Sequence, residues 1–147
     1  MSALPKPKII DILLVEDSPT DALLTKRAIG DAWRINRLHI VQDGVEAMAF
    51  LRREHPYANA PRPDLILLDL NLPRKNGAEV LTEIKMDEIL SMIPVCVLTT
   101  SQNNEDIIKS YRLHANCYIV KPMNFDSYVN AITALKNFWF AIVTLPI

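Results

Sequence analysis

Five polar residues of types that suit chemistry on a charged group stand where short apolar stretches of the sequence end. They are Glu16, Asp17, Asp69, Thr99 and Lys121. Asp69 directly follows "LILL", and a carboxylate at the end of a buried strand needs a partner that offsets its charge. Each residue taken alone could also have a purely structural role. Asp69 could form a turn, the two earlier acids could favour a helix N-terminus, and Lys121 could be a solvated surface residue.

Taken together, these residue types favour a metal-assisted phosphoryl site. Three carboxylates at one place repel one another unless a cation offsets them, and Mg²⁺ prefers a few carboxylate oxygens plus water. Lys121 would add a second positive charge and Thr99 a hydroxyl, so that both could contact a transferred phosphoryl group. Asp69, in the middle of the chain, would then be the nucleophile.

The elements that must position these residues are predicted by five apolar runs that alternate with helical segments. The runs cover residues 9–15, 37–41, 65–69, 95–99 and 117–120, and near-continuous apolar strands indicate a parallel sheet buried on both faces. Helical periodicity covers residues 18–29, 44–54, 77–85, 104–114 and 124–139, the last with a stripe of Tyr128, Ile132, Leu135 and Trp139. Such alternation predicts an α/β fold in which the carboxyl ends of the strands share one edge.

Composition excludes several classes of protein. The chain has 147 residues, half of them hydrophobic, which suits a single globular domain. A net charge of −1 argues against binding to nucleic acid or to an anionic membrane, and no segment is long and apolar enough to span one. Two isolated cysteines, Cys96 and Cys117, fit neither a disulfide framework nor a zinc site, and they favour a reducing, cytoplasmic location. No phosphate-binding glycine motif supports a nucleotide cofactor.

Four segments in order make the chain resemble the receiver domain of two-component response regulators. They are "ILLVEDSPTD", "PDLILLDLNLPRKNG", "IPVCVLTTS" and "CYIVKP", and the resemblance spans nearly the whole sequence. It implies a flavodoxin-like, doubly wound (βα)5 fold with strand order 2-1-3-4-5. It also implies a signalling protein rather than a classical enzyme, one that accepts a phosphoryl group from a sensor histidine kinase.

The resemblance also implies a role for each matching residue. Asp69 is the expected phosphoacceptor, and Mg²⁺ would be held by Asp17, Asp69 and the backbone carbonyl of Asn71, with Glu16 acting mainly through a water. Lys121 would pair with Asp69 and then with the phosphoryl oxygens. The expected switch residues are Thr99, Thr100 and Tyr118. Thr100 stands where the family usually has a small residue, so its side chain could alter the access of water to the phosphoryl group.

The C-terminal end is unusually apolar and leads to a hypothesis about assembly. We expect a receiver over residues 1–138 with no DNA-binding output, followed by a tail at 139–147 that joins the last helix in a homodimer. The alternative is that the tail folds back on its own domain. The "FW" and "TLP" of the ending resemble stand-alone receivers that serve phytochrome kinases. The expected dimer residues are Phe138, Trp139, Phe140, Ile142, Leu145 and Pro146.

Two other functions compete with phosphoryl signalling. A phosphatase resembling the haloacid dehalogenase superfamily would also use a nucleophilic Asp with Mg²⁺, but it needs an acid two residues later, where this chain has Asn71. Its nucleophile would also follow the first strand rather than the third. A receiver reduced to a binding scaffold would have no reason to keep Glu16, Asp17, Asp69, Thr99 and Lys121 together.

Overall fold

The fold is a parallel sheet of five strands, which lie side by side in the order 2-1-3-4-5 when numbered along the chain, as the resemblance implies. The computed structural model describes residues 9–30, 36–100, 103–121 and 124–138. The strands are β1 (Ile10–Val15), β2 (Asn36–Val41), β3 (Leu65–Leu68), β4 (Val95–Thr99) and β5 (Cys117–Val120). The helices are α1 (Pro19–Ile29), α2 (Gly44–Arg52), α3 (Gly77–Met86), α4 (Asn104–Arg112) and α5 (Phe125–Asn137).

The sheet is buried on both faces because helices cover each of them. On one face, α2 and α3 pack residues such as Phe50, Val80 and Leu81 against Ile66 and Leu68. The other face is covered by α1 and α5, and the predicted stripe of Tyr128, Ile132 and Leu135 is buried there. Each of the four side chains of β3 is at most 1% exposed. Full burial of such a side chain contributes about 1.5–3 kcal/mol, so this central strand is held firmly in place.

Each of the five helices begins with a polar residue whose side chain accepts a hydrogen bond from a backbone amide of the first turn. These residues are Ser18, Asp43, Asn76, Asn103 and Asn124. Because every helix follows a parallel strand, all five N-termini lie at the carboxyl edge of the sheet. The positive ends of the helix dipoles therefore face the edge that carries the predicted acids.

The structure differs from the predicted elements mainly where helices end. The α2 helix stops at Arg52 rather than at residue 54, because Arg53 adopts the left-handed conformation with φ 55°. Similarly, α4 ends at Arg112, and His114 has φ 67°. A short 3₁₀ turn at Leu90–Met92 lies between α3 and β4 and was not predicted.

The predicted C-terminal arm lies outside the described residues, except for its first member. Phe138 follows α5 and is 48% exposed. Trp139, Phe140, Ile142, Leu145 and Pro146 are not among the described residues, so the boundary between receiver and tail stays a prediction. In the described part of the chain, no helix combines the length and the apolar character needed to cross a membrane.

Candidate functional site

The three predicted acids meet at the carboxyl edge, where strands β1 and β3 end side by side. The amide of Asp69 donates to the carbonyl of Val15 at 3.1 Å, and that of Glu16 donates to the carbonyl of Val41 at 3.0 Å. These bonds extend the strand ladders by one step and fix both residues. As a result, Glu16, Asp17 and Asp69 each offer a carboxylate oxygen within 4.8 Å of the other two.

This carboxylate cluster suits a hard divalent cation. Its donors are all oxygens, which Mg²⁺, Mn²⁺ and Ca²⁺ accept. Glu16 and Asp69 are 3% and 7% exposed, whereas Asp17 is exposed. The cluster is therefore closed by protein on one side and open to water on the other, which leaves room for additional oxygen ligands.

Lys121 brings a positive charge into direct contact with the cluster. Its amide donates to the carbonyl of Thr99 at 2.7 Å, which places it just beyond β5. Its ammonium donates to the carboxylate of Glu16, to Asp21 Oδ2 at 3.0 Å and to Asp69 Oδ2 at 3.4 Å. The side chain is only 6% exposed. One buried ammonium is thus shared by three carboxylates.

Burial and charge shift the pKa values of the central pair. Burial raises the pKa of Glu16 to about 7, although the hydrogen bond and charge of Lys121 oppose that rise, and the Asp69 carboxylate adds to it. Burial alone would lower the pKa of Lys121, but its hydrogen bond to Glu16 and the charge of Asp69 raise it instead. The ammonium therefore keeps its charge, while Glu16 exchanges a proton near neutral pH.

Gly77 packs directly against the backbone of Asp69. A Cβ atom on Gly77 would lie 2.3 Å from the carbonyl oxygen of Asp69 and 2.6 Å from Cα of Leu70, so only glycine allows α3 to begin this close. The Gly77 amide donates to the carbonyl of Leu70 at 3.0 Å. The Asn71 amide donates to Asp69 Oδ1 at 3.1 Å and orients the carboxylate from the same loop.

A second glycine supports the same loop from the opposite side. A Cβ on Gly44 would lie 2.0 Å from the carbonyl oxygen of Lys75. Beside this contact, Arg74 pairs with Asp43 at 3.2 Å. Neither glycine contact was predicted from the sequence. A signal was present, because the chain has only three glycines and two of them, Gly44 and Gly77, come just after the loops that follow strands.

The predicted switch residues lie around the site at different depths. Thr99 is fully buried at the end of β4, and Thr100 after it is exposed. Tyr118 is half-buried in β5, opposite Val97, and packs against the apolar layer on the α2–α3 face. The structure thus gathers Glu16, Asp17 and Asp69 into one cluster. Lys121 contacts two of these acids, Glu16 and Asp69, and Thr99 lies at the neighbouring strand end. A fourth carboxylate at this edge, that of Asp21, contacts Lys121 and was not predicted as a site residue.

Comparison with known proteins finds a matching family model, a similar curated protein and similar solved structures. A family model described as "Response regulator receiver domain" matches residues 12–133. The response regulator Rcp1 of Synechocystis sp. is 49% identical over 140 residues, which cover 95% of this chain and 94% of that protein. A crystal structure of the phosphorylated cyanobacterial phytochrome response regulator RcpA has a TM-score of 0.93 at 49% identity, covering 95% of this chain and all of that one. The Mn²⁺-bound form of Rcp1 has a TM-score of 0.91 at 48% identity, with 94% and 99% coverage.

Proposed function

Because the chain belongs to the response regulator receiver family, we propose that Asp69 is the residue on which it accepts a phosphoryl group from a sensor histidine kinase. The proposal rests on one observation. The buried Lys121 ammonium contacts Asp69 and Glu16, which belong to the carboxylate cluster. Such a charge pattern costs stability in the absence of a ligand, and it suits an incoming group with several negative oxygens.

In the proposed transfer, an Asp69 oxygen attacks phosphorus while the bond from phosphorus to the kinase histidine nitrogen breaks. The electron pair of that bond stays on the imidazole, and an acyl phosphate forms on Asp69. Lys121 donates a hydrogen bond to a phosphoryl oxygen, and the Thr99 hydroxyl, one strand away, provides another donor. A Mg²⁺ ion held by Glu16, Asp17, Asp69 and the Asn71 carbonyl would offset the negative charge on the phosphoryl oxygens.

A direct experiment is incubation with acetyl phosphate and Mg²⁺, followed by intact-mass analysis. We expect a single added phosphoryl group that Asp69→Asn abolishes. The matched control is Asp64→Asn, which neutralises an acid just before the same strand, at its opposite end, so this variant should be labelled as the native chain is. A chain that is not labelled would favour the scaffold alternative, and rapid hydrolysis of phosphate esters would favour the phosphatase alternative.

The kinase partner we propose is of the phytochrome type, in a cytoplasmic signalling pathway. The support is that RcpA, which is 49% identical to this chain, is a cyanobacterial phytochrome response regulator. Phosphotransfer from a panel of purified histidine kinases should be fastest from phytochrome-type kinases. An equal or higher rate from an unrelated kinase would contradict this assignment.

We also propose that α5 and the residues after it form a homodimer contact. Phe138 is a large apolar side chain left 48% exposed at the end of α5, and the sequence after it is rich in apolar residues. A chain truncated after Asn137 should sediment as a monomer while the full chain sediments as a dimer. A monomeric full chain, or a truncated chain that still dimerises, would contradict this role.

A further inference from the structure

We infer that Asp21 is a positioning residue that holds the Lys121 ammonium away from the phosphoryl site, and so weakens the binding of the phosphoryl group. The inference rests on the proposed function of Asp69. It assigns a role to a residue outside the carboxylate cluster, because Asp21 contributes no oxygen to that cluster.

The Lys121 ammonium lies closer to Glu16 and Asp21 than to Asp69. A lysine ammonium has three N–H donors, and the three carboxylates that it contacts account for all of them. The contact with Asp69 is the longest, at 3.4 Å, while Asp21 lies at 3.0 Å and Glu16 is closer still. The ammonium is therefore displaced toward the two acids on the β1–α1 side. A phosphoryl group on Asp69 gains a full hydrogen bond from Lys121 only if one of these two contacts lengthens.

Asp21 and Glu16 differ in their relation to the carboxylate cluster. Glu16 belongs to the carboxylate cluster, and a cation held there would draw its charge away from Lys121. Asp21 lies outside the cluster, so a cation held there would leave its hydrogen bond with the ammonium in place. It is therefore the carboxylate that continues to compete with the phosphoryl oxygens for the N–H donors of Lys121.

The backbone around Asp21 is held by hydrogen bonds of both its amide and its carbonyl. Its amide donates to Ser18 Oγ at 3.2 Å, and its carbonyl accepts from Thr25 Oγ1 at 2.8 Å. The Thr25 hydroxyl also contacts the Tyr128 hydroxyl of α5. Only the side chain of Asp21 points to Lys121, and it is 34% exposed. Asp21→Asn therefore removes the charge without disturbing the helix start.

The test is the affinity for beryllofluoride, which mimics a phosphoryl group, measured by calorimetry at saturating Mg²⁺. We expect Asp21→Asn to bind it about three- to tenfold more tightly than the native chain, a range that discounts a charged hydrogen bond for partial exposure. Asp21→Glu, which restores the carboxylate, should return the affinity toward the native value. Thermal unfolding midpoints should agree among the three chains.

The matched control is Asp43→Asn. Asp43 lies at the same edge of the sheet and caps α2, where asparagine also caps, and its side chain contacts the Glu46 amide and Arg74. If Asp43→Asn tightens binding as much as Asp21→Asn does, the effect is general electrostatics and the inference is wrong. Unchanged or weaker binding by Asp21→Asn would also overturn it. If the native chain itself binds no beryllofluoride, the proposed function fails first.

Discussion

Proton exchange at Glu16 predicts that metal binding depends on pH near neutrality. A carboxylate binds a cation only after it loses its proton, and burial raises the pKa of Glu16 to about 7. The perturbation is a change of pH from 8 to 6 in the native chain, compared with the variant Glu16→Gln.

The same pKa affects folding in the absence of metal. The raised pKa makes the folded state bind protons more tightly than the unfolded chain, so the stability of the folded state should fall as pH rises through about 7.

The magnitude follows from that pKa. With a value of about 7, Glu16 is about 9% deprotonated at pH 6 and about 91% deprotonated at pH 8. If metal binding requires the deprotonated form, the apparent affinity for Mg²⁺ falls about tenfold between these two pH values, or about 1.4 kcal/mol. At pH 6 each bound ion should release nearly one proton from Glu16, and at pH 8 almost none.

Calorimetric titration with Mg²⁺ in buffers of different ionisation enthalpy measures both the affinity and the released proton. Glu16→Gln should bind Mg²⁺ more weakly and with little dependence on pH. Glu79→Gln neutralises an exposed acid outside the carboxylate cluster, so this control should keep the native dependence. Equal affinities at pH 6 and pH 8 in the native chain would refute the reasoning, as would an unchanged slope in Glu16→Gln.

Three further predictions concern the surroundings of the site. Gly77→Ala should lower the free energy of unfolding, measured in urea, by at least about 1–3 kcal/mol, because its methyl group would overlap the Asp69 carbonyl. The same overlap should slow labelling by acetyl phosphate. An unfolding free energy equal to that of the native chain would contradict the close contact. Thr100→Ala should change the lifetime of the phosphorylated chain, and equal dephosphorylation rates would contradict a role for this side chain. Burial would raise the pKa of Asp11, but the paired Arg37 lowers it below the ordinary value. Asp11→Asn should therefore lower the unfolding temperature at pH 7, by a difference that shrinks as pH falls through the lowered pKa; a constant difference would argue against the pair.

The strands of the sheet could be predicted from the sequence because they are nearly continuous apolar runs. Each strand was predicted to within one residue, and strand alternation alone then placed Glu16, Asp69 and Lys121 at one edge. Helix ends were predicted less well, since α2 ends where Arg53 turns to a positive φ, and side-chain type does not reveal such a turn in advance.

Contacts that depend on side-chain reach could not be predicted in the same way. An acid in the first turn of a helix is already accounted for by the helix dipole. No pattern in the sequence therefore connects Asp21 with Lys121, one hundred residues later. The close approach of Gly77 to Asp69 likewise requires the distance between two backbones. Both features lie at the edge that the strand pattern identifies, but both depend on distances between atoms that the sequence pattern does not specify.

The two glycine contacts have a consequence for how a signal could leave the site. The loop after β3 is held between Gly77 and Gly44 with no space for even a methyl group, so it forms a stiff wall beside Asp69. The opposite side of the site is formed by the ends of β4 and β5, where the flexible side chain of Lys121 reaches Asp69 at 3.4 Å. We therefore expect a phosphoryl group to displace atoms of Thr99 and Lys121 rather than the loop after β3. The rigid loop would thus determine the direction in which the site changes.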